Sequence, residues 1–162
     1  MTIQAQLLEL LDELATEFET AIQFVTHDLG VVAERCDRVM VMYAGQIVER
    51  APVEELYYDP KHPYTAGLMA SIPHIGADRD RLPTIPGTMP DMVSIPTGCR
   101  FHPRCPYAEP TCARRDPALI ETDTDRDDAE TAPTAHVAAC HEYTGNLEHG
   151  LDYEVQVRGE RE

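Results

Sequence analysis

The chain is short of lysine and has no long apolar run. Lys61 is the only lysine among 13 basic residues, against 29 acids, for a net charge of −16. Such a surface repels phosphate backbones, and affinity for nucleic acid comes largely from Lys and Arg neutralising phosphates, so nucleic-acid binding is disfavoured. No stretch approaches the roughly 20 apolar residues of a membrane helix. Any membrane link is therefore expected to come through a partner. The start, MTIQAQLLELLDEL, has neither a basic n-region nor an apolar h-region, which points to a reducing compartment where disulfides rarely persist. Two motifs are also missing. There is no G-x-x-x-x-G-K-[ST] loop to cradle nucleotide phosphates, and no C-x-x-C pair of the kind that marks a zinc ribbon. An acidic, lysine-poor composition keeps a protein soluble in strong salt by self-repulsion, so halophile-like behaviour is expected.

What the sequence does concentrate is cysteine and proline. In TGCRFHPRCPYAEPTC (97–112), five residues separate Cys99 from Cys105 and six separate Cys105 from Cys112. Cys140 follows 27 residues later in HVAACHEY. Pro103, Pro106 and Pro110 remove amide donors, so this piece suits neither helix nor strand and needs something else to hold it. A bound metal would do so. Four thiolates suit zinc or an iron-sulfur cluster, and spacing does not choose between them. His102, His136 and His141 are each candidates to replace a cysteine in a zinc site, and free thiols packing as small hydrophobes are the plain alternative.

Upstream, periodicity predicts an amphipathic helix over 2–18, with Ile3, Leu7, Leu10, Leu11, Leu14 and Phe18 on one side. AIQFVTH (21–27) reads as a short apolar strand ending in His27, and Asp28 is a natural N-cap for the helix LGVVAERC. Cys36 reads as packing between helix and strand, apart from any ligand set. RVMVMY and QIVER read as a hairpin turning at Ala44-Gly45. APVEELYYDP (51–60) and HPYTAGLMASIP (62–73) read as helices with proline in the first turn, the second placing Tyr64, Leu68 and Ile72 toward the core. Residues 78–96 carry Pro83, Pro86, Pro90 and Pro96 and predict an extended strap. The acidic run 121–130 predicts a solvated loop, and Tyr153, Val155 and Val157 a weak last strand.

GCRFHPRCPYAEPTC followed by HVAACHEY resembles the C-terminal extension of the ATP-binding subunits of oligopeptide/dipeptide ABC importers. FVTHDLGVVAERCDRVMVMYAGQIVER is similar to the last part of an ABC nucleotide-binding domain, and HPYTAGLM to the peptide-importer branch. The resemblance implies an α/β fold, the distal fragment of an ABC-type nucleotide-binding domain followed by an irregular Cys-rich metal-binding tail. It implies a nucleotide-binding part over 1–75, a strap over 76–97, the Cys-rich region over 98–145 and an acidic tail over 146–162. It further implies that Cys99, Cys105, Cys112 and Cys140 hold a [4Fe-4S] cluster, with Zn²⁺ as the alternative. His27 would be the switch-loop residue on the γ-phosphate, where an imidazole donor meets charge developing on the transferred group.

ATP and Mg²⁺ would be cofactors of the intact subunit. Its partners would be the importer's membrane subunits, a second ATP-binding subunit and, indirectly, a peptide-binding protein, at the cytoplasmic face of the membrane. The phosphate loop, the signature motif and the acidic strand have no match here, so the chain alone is expected not to hydrolyse ATP. A late start, a split gene, a partnered half-subunit, a nonfunctional remnant and a stand-alone metal module all remain open.

Overall fold

The computed structural model describes residues 3–72, 84–122, 135–148 and 151. The chain divides into two compact units, Met1–Gly30 and Val31–Glu162. In the first, helix α1 spans Ile3–Glu17 and buries none of its residues. It ends where Glu19 adopts φ 48°, with Thr20 N–H donating to Ala15 O at 3.0 Å and Glu19 N–H to Thr16 O at 3.5 Å. This left-handed closure normally falls to glycine.

Residues 21–26 form no strand, contrary to the sequence expectation. A strand exists only through a ladder partner, and among the described residues 21–27 has none. Val25 is accordingly 94% exposed. Helix α2, Leu29–Arg35, follows, and Asp28 caps it as expected, its Oδ1 accepting from Gly30 N–H at 3.0 Å.

The second unit is built on a four-stranded antiparallel sheet in the order β1-β2-β4-β3, from β1 (Arg38–Tyr43), β2 (Gln46–Pro52), β3 (Ile120–Glu121) and β4 (Val137–Ala138). Ala44 and Gly45, at φ 47° and 77°, make the tight turn between β1 and β2, the geometry that matches strand twist. On β1 the alternation is regular: Val41 and Tyr43 are buried, Met40 and Met42 exposed. The register then shifts, Val41 facing Glu49 and Met42 facing Ile47, so β2 carries one extra residue. The bulge lets consecutive Val48 and Glu49 both turn inward.

Helix α3 is shorter than expected, Val53–Tyr58, because β2 continues to Pro52, which becomes the N-cap. Helix α4 spans Pro63–Ala70, with Pro63 in its first turn and His62 as N-cap. Its buried residues are Pro63, Thr65, Ala66 and Met69, in place of the expected Tyr64, Leu68 and Ile72. Ile72 lies past the helix end. Tyr64 goes instead to an aromatic cluster, its ring 4.7 Å from Tyr43 and 5.6 Å from Phe101, while Tyr43 and Phe101 meet edge-on at 5.2 Å. Such pairs contribute about 1 kcal/mol each beyond burial, and this cluster joins the hairpin, α4 and the cysteine segment.

Residues 84–98 are irregular, as the prolines predict. Arg104 holds the start of this strap, donating from Nη2 to Ile85 O at 3.0 Å and from Nε to Pro86 O at 2.9 Å, with its guanidinium 6.0 Å from the Tyr43 ring centroid. The acidic run begins in structure, since Glu121 belongs to β3; 123–130 and the expected strand at 153–157 lie outside the described residues. No helix among the described residues is long and apolar enough to cross a membrane.

Candidate metal centre and the helix cap beside it

The segment 97–112 folds back on itself. Cys99 N–H donates to Cys112 O at 2.8 Å, and Thr97 Oγ1 to Ala113 O at 3.0 Å. Gly98, at φ 71°, makes the crossing: a Cβ there would overlap the Cys112 carbonyl oxygen and lie 2.8 Å from the Ala113 carbonyl carbon. Between the two cysteines a single 3₁₀ turn, His102–Arg104, and successive tight turns reverse the chain, with Cys105 N–H donating to His102 O and Cys112 N–H to Glu109 O. Phe101, 1% exposed, plants this loop in the aromatic cluster. Arg100 ties it to the hairpin by donating to Ala44 O.

Cys140 arrives from the other side. β4 pairs with β2, Ala139 N–H donates to Val48 O at 2.8 Å, and the next residue is Cys140. One small cleft of about 20 Å³, room for about a single water, is lined by Cys99, Cys105, Cys112 and Cys140. The structure thus brings together all four cysteines singled out in the sequence. All five cysteines are free thiols. Cys36 is not among the residues lining the cleft.

Burial, and then the neighbouring cysteines, push the Cys105 thiol up to about 11 and the Cys140 thiol up to about 12; burial raises Cys99 as well. Without a cation these groups are held as thiols. Among the described residues no group of three or more His, Cys, Asp or Glu side chains is arranged to hold a metal ion as the chain stands. The donor chemistry, four cysteines lining one cleft, nevertheless suits a thiolate-held metal group.

The three candidate histidines separate. His102 and His141 line the cleft, and each is already bound to a carbonyl: His102 Nδ1 at 2.9 Å from Cys99 O, His141 Nε2 at 2.9 Å from Arg115 O. His136 is elsewhere. Its Nε2 lies 2.7 Å from Glu49 Oε1 and its Nδ1 3.5 Å from Glu55 Oε2.

Glu49 is the residue that sequence reasoning missed. Fully buried, it accepts from His136 and also from Lys61 N–H at 2.6 Å and His62 N–H at 2.9 Å, joining β2, the cap of α4 and the approach to β4. Nothing in QIVER marked it, because strict alternation groups Glu49 with Ile47 and ignores the bulge. His62 was also missed as a site residue. It is 1% exposed, its Nδ1 accepts from Tyr64 N–H at 3.1 Å, its ring stands 5.6 Å from Phe101, and it lines the cysteine cleft. Burial lowers its pKa to about 4, against the opposing pull of Glu49, so the ring is neutral near pH 7.

In the unit Met1–Gly30, His27 sits exposed at a bend, after Thr26, whose Oγ1 accepts from Asp28 N–H at 3.0 Å.

Residues 48–112 match the family model described as the oligopeptide/dipeptide transporter, C-terminal region. Full-length relatives carry the similarity further. The oligopeptide transport ATP-binding protein AppD of Bacillus subtilis is 52% identical over 120 residues, 74% of this chain and 37% of its own length. The chain is similar to the C-terminal part of oligopeptide-importer ATP-binding subunits. The oligopeptide transport ATP-binding protein OppD of Haemophilus influenzae is 51% identical over 112 residues, 69% of this chain and 35% of its own. OppD of Escherichia coli is 46% identical over 117 residues, 72% and 35% respectively. The chain therefore spans little more than a third of these relatives.

Proposed function

We propose that this chain supplies the distal part of the ATP-binding subunit of an oligopeptide/dipeptide ABC importer, from 1–75 as nucleotide-binding domain through the strap 76–97 and Cys-rich region 98–145 to the tail 146–162. The similarity to oligopeptide transport ATP-binding proteins over about three quarters of the chain carries this reading. In the intact subunit, at the cytoplasmic face and beside the membrane subunits and a second ATP-binding subunit, His27 contacts the γ-phosphate of Mg²⁺-bound ATP. Its exposure at the bend leaves the imidazole accessible to such a ligand. The chain alone does not turn over ATP, because it has no phosphate loop.

The test is a chimera in which this chain replaces the distal third of the Bacillus subtilis relative. It should hydrolyse ATP, and His27→Ala should lower the turnover on the order of 100-fold, the typical cost of removing one donor to developing charge. Turnover by the isolated chain, or an indifferent His27→Ala chimera, overturns the reading.

The four cysteines would hold a [4Fe-4S] cluster that ties the Cys-rich region to the sheet, through Cys99, Cys105 and Cys112 on the folded-back loop and Cys140 at the end of β4. When bound, such a group supplies iron-thiolate bonds that replace the missing regular backbone structure. Their gathering on one cleft supports this. Anaerobic iron and sulfide analysis should find both in the reconstituted chain. Serine at any of the four positions should remove them, and Cys36→Ser should leave them in place. Zinc without sulfide would replace the cluster by a zinc site.

A further inference from the structure

We propose that His62 is the hydrogen-bond donor of the cysteine cleft, its Nε2–H directed at a sulfur of the group the four cysteines hold. This rests on the cluster reading above. The argument is one of tautomers. A carbonyl oxygen only accepts, so His102 carries its proton on Nδ1 to meet Cys99 O, and its Nε2 is left with a lone pair. His141 likewise commits its Nε2 proton to Arg115 O.

His62 is constrained in the opposite sense. Tyr64 N–H donates to its Nδ1 as the cap of α4, which requires that nitrogen to be bare and places the ring proton on Nε2. No described residue accepts that proton. The residue is 1% exposed and lines the cleft. Its position is fixed from three sides: the cap bond, the Phe101 ring, and the backbone N–H held by Glu49 Oε2.

Of the three imidazoles on the cleft, His62 is thus the one whose proton is uncommitted. An N–H···S bond favours the more negative, reduced state of an iron-sulfur group and raises its potential. His62 is accordingly a positioning and tuning residue, not a ligand.

The test uses the full chain, reconstituted anaerobically with ferrous iron and sulfide and titrated potentiometrically. His62→Asn keeps a cap acceptor for α4 but withdraws the donor; His62→Gln keeps an amide N–H at similar reach. The expected pattern is full iron content in all three proteins, a lower potential in the Asn variant and a potential restored toward the unsubstituted value by Gln. Equal potentials in all three overturn the role of His62 and leave the cluster intact. An unsubstituted chain that retains no iron overturns the cluster reading and His62 with it. Hyperfine coupling to nitrogen in the reduced, ¹⁵N-histidine-labelled unsubstituted protein needs no variant: a weak coupling is expected, and its absence overturns the proposal.

Discussion

His136 Nε2 lies 2.7 Å from Glu49 Oε1 although 87 residues separate them, and both side chains are buried. The contact fastens the approach to β4, and through β4 the position of Cys140, to the inner strand β2. Glu49 also receives two backbone N–H groups at the cap of α4, which fixes the height of His62. One carboxylate therefore sets both the last cysteine and the histidine beside the cleft.

Removing one partner of a buried, hydrogen-bonded pair leaves an uncompensated group, at a cost of about 3–5 kcal/mol. Glu49→Ala and His136→Phe should each lower the unfolding free energy of the chain by a loss of that order in urea titrations. The double variant should cost less than the sum, since both remove the same contact. Losses that simply add would show that the two residues act independently.

Gly98→Ala should be as damaging as a core deletion, because the new methyl group meets backbone at the Cys112 and Ala113 carbonyls. Neither can retreat without breaking the Cys99–Cys112 hydrogen bond. A loss of at least about 2 kcal/mol is expected from overpacking together with the positive φ. Gly145→Ala is the control: it shares a positive φ, 66°, but has open space around it. Equal losses at both positions would assign the whole effect to backbone conformation.

His62 makes the metal-free chain acid-sensitive. Its folded pKa of about 4 lies below the ordinary 6.5, so below pH 6.5 the unfolded chain takes up a proton that the folded chain refuses. This contribution to stability is complete above pH 6.5 and is lost progressively as pH falls toward 4, by about 3 kcal/mol in all at 1.36 kcal/mol per pKa unit. Urea titrations across that range should show the slope, and His62→Asn should flatten it. A slope that survives the substitution would have to come from other titrating groups.

A net charge of −16 on 162 residues stores self-repulsion that salt screens. The unfolding midpoint should rise steadily as potassium chloride goes from dilute to molar. Indifference to salt would sink the halophile-like reading.

Much of the local structure was legible in the sequence. The three-and-four periodicity of α1, Asp28 as cap, Ala44-Gly45 as turn and the prolines of the strap all act within a few residues, so their physics is written in adjacent letters. The four cysteines were legible as a set because the sequence concentrates three of them in one proline-rich segment, and the structure lines one cleft with all four. What failed was whatever needed a partner. Residues 21–27 have the composition of a strand, but a strand is a relation between two chains of hydrogen bonds, and none faces it among the described residues.

By itself, then, the sequence determined the helices, the hairpin, the irregular cysteine loop and its donor chemistry, because each follows from short-range preference and residue type. The tertiary structure alone decided that a bulge turns Glu49 inward, that β4 brings Cys140 beside β2, and that the cap bond from Tyr64 N–H leaves the ring proton of His62, a residue lining the cleft, on Nε2. Those outcomes depend on register and tautomer, which arise only when residues tens of positions apart compete for the same hydrogen bonds.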